Sequence, residues 1–538
     1  MSEDMFTIFG RVMSAMGDAQ FASMKAASRS MELALQTQAR IWGIVEKPES
    51  LRDRRFRDDS WQENPAADAL KQGYLVYSQW LLDMADGLES VDPTLHHRAK
   101  FWTQQWIDAI SPSNYAMTNP EVIQETARTG GMNLVRGMQN VISDVQQGRI
   151  SQVPENSFTV GVDLAVTLGK VIYQNPVIEL IQYEPTTAKV SEIPIVIIPP
   201  WINRYYVMDM QPQNSLYKYI VDSGFTLFTI SWKNPDGPTL DMGWDDYVDY
   251  GPLSAIDVVK SVTGAKQVNT VGYCLGGIIE QTTVAYLAAI RDESVNSATL
   301  FATHQDFSDA GDISVFISGP EVLFLEWLMA ASGGYLDGKN MAAPFNMLRS
   351  NDLLWNYYIH NYLLGKKPPA FDLLYWNSDG TRVPGQVHSF LMREFFLENK
   401  LMEPNGIKVK GVAIDLGKIK TPTYAVATKN DHIVPWRGAF SIRELQGGPV
   451  RFILSGGGHI AGIINPPADK KRAYWINEGV EVDPDEWFEG AEKFDGSWWE
   501  DWIAWLDERS GDEVDPPSMG NTDYKPIMDA PGSYVLEK

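Results

Sequence analysis

Residues 268–277 read Val-Asn-Thr-Val-Gly-Tyr-Cys-Leu-Gly-Gly. A short β-branched run stops at Gly272, presents Cys274, and passes through Gly276 and Gly277 into the apolar segment 278–290. Strand, sharp turn and helix in that order describe a nucleophile elbow, in which the reactive side chain rides a strained bend above the end of a strand. The usual pattern is G-x-S-x-G; here the central residue is cysteine. Glycines on either side leave room for close backbone approach. Leu275 opens the helix, so its N–H has no intrahelical acceptor and can point at a developing oxyanion. The competing reading is a buried structural cysteine, since free cysteine is among the most buried residue types. Cys274 is the only cysteine in 538 residues, and a chain that avoids thiols elsewhere keeps this one for chemistry. No intramolecular disulfide can form, and nothing points to an oxidising compartment.

Outward from the elbow, residues 193–198 form a continuous apolar run ending in Pro199-Pro200, as in a parallel strand buried on both faces. Residues 225–230, 298–303, 423–428 and 450–454 repeat that signature, with helical patterns between them. Residues 158–161 and 176–183 read as strands near a sheet edge. The alternation predicts an α/β fold, a mostly parallel sheet with helices on both faces and its chemistry at the carboxyl ends of the strands. Between 306 and 408 it gives way to aromatics and leucines, which read as a cap or lid inserted over those ends.

Residues 1–155 read as a helical N-terminal domain, with patterns at 66–88, 98–110 and 120–147 and breaks at Pro112 and Pro120. Phe6, Phe9, Met13 and Met16, then Met24, Met31, Leu35 and Trp42, make an apolar stripe suited to packing or to a partner surface. The α/β domain then spans 156–515. Within it Trp498, Trp499, Trp502 and Trp505 are spaced to share the face of a closing helix. Residues 516–538 are a polar, proline-bearing C-terminal tail, expected to be loosely held.

Hydrophobic residues at 44% and charged residues at 21% are ordinary for a globular chain. A net charge of −24 argues against nucleic acid as a partner. The start, Met-Ser-Glu-Asp-Met-Phe, lacks the basic flank and apolar core of a signal peptide. No apolar run reaches the roughly 18–20 residues of a transmembrane segment; the nearest, 322–331, carries Glu326. The expectation is a cytoplasmic protein whose contact with any membrane or particle is peripheral.

A cysteine is only a few per cent thiolate near pH 7, so Cys274 needs a base. Of seven histidines, His459 follows the strand at 450–454 in the loop Ser455-Gly-Gly-Gly-His459. Asp431 and His432 follow the strand at 423–428. The order Cys274, Asp431, His459 is that of the α/β-hydrolase fold. Asp431 would fix the tautomer of His459 and stabilise its imidazolium. His432 is a rival base, though its side chain should point away from that of Asp431. His304, also after a strand, is a second rival, and His388 is a candidate to line the cap. A second oxyanion donor is expected from the loop Pro199-Pro-Trp-Ile-Asn203, at Trp201 or Ile202. No cluster has metal-ligand spacing, so neither a metal nor a cofactor is implied.

With these parts assembled, the chain resembles the polyhydroxyalkanoate synthases. The matching motifs include Trp61-Gln-Glu-Asn-Pro65, Ser111-Pro-Ser-Asn-Tyr115 and Pro199-Pro-Trp-Ile-Asn-Arg-Tyr-Tyr206. They continue with Gly272-Tyr-Cys-Leu-Gly-Gly277, Asn351-Asp-Leu-Leu-Trp-Asn356, Trp376-Asn-Ser-Asp379, Asp431-His-Ile-Val-Pro-Trp436 and Gly458-His-Ile-Ala-Gly462. The family's catalytic Cys, Asp and His fall on Cys274, Asp431 and His459. The resemblance implies an acyltransferase that polymerises (R)-3-hydroxyacyl groups from coenzyme A (CoA) thioesters, releases CoA and resides on polymer granules, with granule-associated proteins as possible partners and a homodimer as the expected assembly. The elbow looks like the short-chain, class I, single-subunit type. Arg349 resembles a family arginine near the substrate channel and is expected to meet a CoA phosphate, with a surface or salt-bridge role as the alternative. Trp376, Tyr358 and His432 are channel candidates, with cap core as the alternative for the two aromatics. Either His459 or, as in some schemes for the family, Asp431 activates the attacking hydroxyl. A thioesterase or an intracellular depolymerase would use the same three residues and is the rival reading.

Overall fold

An acceptor side chain followed by proline starts each of three helices in the first part of the chain. They are α1 (Pro65–Asp86), α2 (Pro93–Ala109) and α3 (Pro120–Thr129). Asn64 accepts from the N–H groups of Ala66 and Ala67, Asp92 from Leu95, and Asn119 from Glu121 and Val122. The proline fills the position whose N–H would have no partner. The sequence reads 120–147 as one helical pattern, but it is two. Gly130 and Gly131 take φ of 58° and 87°, ending α3, and α4 (Met132–Gln147) starts afresh. The Gly131 N–H closes onto the Thr126 carbonyl, a left-handed helix stop that only glycine adopts at little cost.

The computed structural model describes residues 23–32, 35, 53–89, 92–154, 156–480 and 482–538. Phe6, Phe9, Met13, Met16 and Trp42 of the apolar stripe lie outside the described residues; Met24, Met31 and Leu35 are exposed. The chain forms two compact units, Met1–Glu155 with Phe345–Ala370, and Asn156–Pro344 with Phe371–Lys538. Segment 345–370, which the sequence places in the cap, packs with the helical unit. Asn133 and Asn140 of α4 donate to the carbonyls of Leu363 and Asn361, and Gly137 has no room for a side chain against the Tyr362 carbonyl.

The second unit is built on one sheet. In chain order its strands are β1 (Gly169–Gln174), β2 (Ile178–Tyr183), β3 (Ile195–Ile198), β4 (Leu227–Trp232), β5 (Val268–Tyr273) and β6 (Val295–Phe301). They continue with β7 (Thr423–Thr428), β8 (Val450–Ser455), β9 (Ala473–Ile476), β10 (Glu492–Asp495) and β11 (Met528–Asp529). The order across the sheet is 10-9-8-7-6-5-3-4-2-1-11. Strands 8, 7, 6, 5, 3 and 4 run parallel, and the strands at both flanks pair antiparallel. The parallel strands are the apolar runs the sequence marks, since crossover helices cover both faces of such strands.

Helices α5 (Ser254–Thr263), α6 (Leu275–Ile290), α7 (Gly319–Ala331) and α8 (Trp499–Asp507) belong to this unit. Trp498, Trp499, Trp502 and Trp505 are all buried; the indoles of Trp498, Trp502 and Trp505 pack with Phe301 or Tyr424, and that of Trp499 packs with Tyr219. Residues 158–161 form only an isolated bridge, Val160 to Leu164, rather than a strand. The expectation of a loosely held tail is also overturned. β11 pairs with β1, Tyr534 and Val535 are buried, and buried Glu179 accepts from Ser533 and Tyr534 N–H groups and from Ser533 Oγ. Buried Arg204 donates to the carbonyls of Tyr534 and Glu537. Among the described residues no helix is long and apolar enough to cross a membrane.

Candidate active site

The elbow forms where β5 meets α6. Cys274 takes φ 54° and ψ −121°, a region that costs a non-glycine residue on the order of 1–3 kcal/mol. It is held there from both sides. Its N–H donates to the Phe301 carbonyl at 2.8 Å, and its carbonyl accepts from Gly277 and Ile278 at 3.0 and 3.3 Å. The glycines around it are steric necessities. A Cβ at Gly276 would stand 2.0 Å from the Ile198 carbonyl oxygen, and one at Gly277 would stand 2.0 Å from Thr303 Oγ1. The first contact brings α6 directly against the end of β3, where Pro199–Asn203 begins. Loop residues Trp201 and Ile202 are buried; their carbonyls are tied to Thr381, through its Oγ1 and its N–H respectively. Leu275 is the first residue of α6, and the elbow lies half-buried with Cys274 as a free thiol.

Two further loops meet the elbow from the ends of β7 and β8. His459 Nδ1 lies 2.8 Å from Asp431 Oδ2. Asp431 Oδ2 also accepts from Thr428 Oγ1, and Oδ1 accepts from the N–H groups of Ile433 and Val434. This carboxylate is buried, and burial pushes its pKa up. The charge and hydrogen bond of His459, with the two backbone donors, outweigh burial and leave the pKa below the ordinary value. For His459 burial pushes down, but the charges of Asp431 and Cys274 and the bond to Asp431 hold it well above 6.5. The His459 ring lies over Tyr273, the residue before the cysteine, with centroids 5.5 Å apart. Cys274, His459 and Asp431 thus share one electrostatic cluster at the carboxyl edge of the parallel strands.

His432 is pinned by its carbonyl, which accepts from the Asp312 N–H. Trp376 is a buried core residue whose indole N–H donates to the Arg204 carbonyl at 2.7 Å. Arg349 and Tyr358 belong to the other compact unit: Arg349 is exposed and paired with Asp352 at 2.6 Å, and Tyr358 meets Trp355 and Tyr362 edge-on. His388 is buried in the second unit, and burial pulls its pKa down to about 4.

Two groups beside the site were not singled out for a role. Glu280, one turn beyond the elbow, is fully buried against Gly272, and burial raises its pKa to about 8. A glutamate inside the apolar run 278–290 was the available signal. Thr428 braces Asp431; a threonine three residues before an aspartate carries no comparable mark. Among the described residues no group of three His, Cys, Asp or Glu side chains is arranged to hold a metal.

Comparison with known proteins follows the same outline. A family profile described as "Poly-beta-hydroxybutyrate polymerase (PhaC) N-terminus" matches residues 52–220, and one described as "alpha/beta hydrolase fold" matches 193–466. The chain is 39% identical to "Poly(3-hydroxyalkanoate) polymerase subunit PhaC" of Cupriavidus necator, over 97% of this chain and 88% of that one. It is 42% identical to the protein of the same name from Rhizobium meliloti, over 91% and 81%. Among solved structures, a Paleococcus ferrophilus monoacylglycerol lipase covers 62% of this chain and 99% of its own, with 14% identity and a TM-score of 0.35.

Proposed function

Since the chain belongs to the poly(3-hydroxyalkanoate) polymerase family, and is an acyltransferase that makes polyhydroxyalkanoate, we propose that it does so by covalent catalysis on Cys274, with His459 and Asp431 completing a triad. The observation that carries this reading is the 2.8 Å contact of Asp431 with His459 at the foot of the cysteine elbow. His459 takes the thiol proton. The thiolate attacks the carbonyl of an (R)-3-hydroxyacyl-CoA, the C–S bond to CoA breaks, and His459 returns the proton to the departing CoA thiolate. The backbone N–H of Leu275, with that of Trp201 or Ile202, holds the oxyanion.

Exchange between thioesters is nearly thermoneutral, so the acyl–cysteine remains reactive towards a second nucleophile. That nucleophile is the hydroxyl of another hydroxyacyl group. His459 removes its proton, a new ester forms, and the Cys274 thiolate leaves. The cap around the cysteine favours this step over hydrolysis by excluding water. The acyl group we assign is short, 3-hydroxybutyryl. Asp431 acts through His459, since all its described bonds are to Thr428, Ile433, Val434 and His459.

The helical domain is assigned to the polymer granule and its partners. Met132, Val135, Met138, Ile142 and Val145 make an exposed apolar stripe along α4, as a polyester surface would require. The working form is assigned as a homodimer in the cytoplasm. The test is to supply 3-hydroxybutyryl-CoA and a medium-chain homologue, and to follow CoA release and polymer mass. Cys274→Ala should abolish both. Free hydroxy acid without polymer would instead establish a thioesterase or depolymerase.

A further inference from the structure

Beside the triad stands a second histidine that the catalytic cycle above leaves idle. His304 follows β6, three residues after Phe301, whose carbonyl holds the Cys274 N–H. It is 4% exposed. Its Nε2 lies 3.0 Å from the Ile433 carbonyl, two residues beyond Asp431. A carbonyl can only accept, so Nε2 carries the proton and Nδ1 is a bare lone pair. That Nδ1 is buried and has no hydrogen-bond partner. The ring is held by Phe307, with centroids 5.0 Å apart, and by Phe396 at 6.2 Å. It is near enough to Asp431 and His459 to feel both charges, and burial, the largest influence, keeps it below the ordinary histidine pKa. With Nε2 committed to the carbonyl, the ring offers an acceptor at its other nitrogen.

A buried acceptor without a donor is costly to leave unmade. While Cys274 is being loaded, His459 carries the thiol proton and cannot accept another. The substrate's own 3-hydroxyl then needs an acceptor close to the thioester. We infer that His304 Nδ1 accepts the 3-hydroxyl of the incoming hydroxyacyl thioester, making His304 a specificity-determining residue that reads the hydroxyl before the chain is extended. The inference rests on the polymerase reading above and assigns to that site its selectivity for hydroxylated acyl groups. The pantetheine amides of the CoA arm leave with the thiol, whereas the hydroxyl stays with the acyl group beside His459, which favours the hydroxyl as donor.

The experiment measures the first-turnover burst of CoA from 3-hydroxybutyryl-CoA and from butyryl-CoA, which lacks the hydroxyl. The wild type should load the hydroxylated substrate at least tenfold faster, as expected of a site that pairs a buried acceptor with a substrate hydroxyl. His304→Leu should bring that ratio near one, by slowing 3-hydroxybutyryl loading and leaving butyryl loading unchanged. His304→Asn, which can place an oxygen where Nδ1 stood, should restore part of the preference, and it stands in should the leucine variant not fold. A preference that survives in His304→Leu, or a variant that slows both substrates equally, overturns the inference. A wild type that loads neither substrate would instead strike the polymerase reading itself.

Discussion

Asp431 meets His459 with one oxygen and commits its other to the Ile433 and Val434 N–H groups. The carboxylate is thus locked by backbone donors before it touches the imidazole. Asn at 431 would have to turn its amide N–H₂ away from those donors and present it to Nδ1, which favours the wrong tautomer. Asp431→Asn should slow single-turnover CoA release by about ten- to a hundredfold and slow elongation more, because the imidazolium is formed in both steps. Rapid-quench CoA assays set against polymer mass measure the two. Wild-type rates in both half-reactions would remove Asp431 from the mechanism.

Gly276 sits where a Cβ would stand 2.0 Å from the Ile198 carbonyl oxygen, and Pro199 backbone atoms close the remaining space. Backbone cannot yield there as a flexible side chain would. Gly276→Ala should destabilise the second unit by more than about 3 kcal/mol and remove activity at any temperature, by parting the elbow from the Pro199 loop. Gly73, inside α1, has nothing within 4 Å of the corresponding position. Gly73→Ala should stabilise the helical unit by about 0.5–1 kcal/mol. Urea unfolding of the two variants should move in opposite directions.

Glu280 makes stability depend on pH in the direction opposite to a salt-bridged carboxylate. Its pKa is about 8 in the fold and 4.5 when free. Between those values the unfolded chain binds fewer protons, so stability falls as pH rises, by on the order of 5 kcal/mol once pH 8 is passed. Glu280→Gln removes the ionisation and should match the wild type at pH 4 while exceeding it at pH 8. Equal stability differences at the two pH values would show that Glu280 ionises normally.

His388 tilts the acid side. Its pKa is about 4 when buried, against 6.5 when free. The unfolded chain takes up the proton first, so stability falls as pH drops from 6.5 to 4, by about 3 kcal/mol. His388→Leu removes this loss, so its stability relative to the wild type should rise as pH drops from 6.5 to 4, measured by urea titration of both proteins at half-unit steps.

Removing residues 530–538 should cost the second unit about 3 kcal/mol. Glu179 has four donors, and Ser533 N, Ser533 Oγ and Tyr534 N would be lost, leaving Gln174 Nε2. Glu179→Leu in the same truncated chain should recover part of the loss, since an apolar side chain needs no donors.

The parallel strands and the elbow were legible because burial on both faces writes an unbroken apolar run, as in Ile195–Ile198. Of the antiparallel flanks β2 was, within residues 176–183, and most of the rest was not. Gly169–Gln174 and Glu492–Asp495 mix polar and apolar residues, and their pairing depends on neighbours far along the chain. Cys274, Asp431 and His459 could be put forward as candidates from order, because each stands just past an apolar strand, as do the rivals His304 and His432. The role open to His304 could not, since it depends on which of two ring nitrogens the Ile433 carbonyl occupies. The hold on the tail was equally hidden, because Glu179 and Arg204 lie far from the residues they bind.

Glu179 and Ser533 are separated by 354 positions. During synthesis β2 is made early, and the donors that neutralise its carboxylate are delivered almost last. Throughout that interval the nascent sheet carries an unpaired edge at β1 and a buried acid with Gln174 Nε2 left as its donor. The sheet therefore cannot close this edge until the last residues of the chain emerge, and a chain broken off anywhere before β11 leaves β1 unpaired however much of the catalytic core it holds.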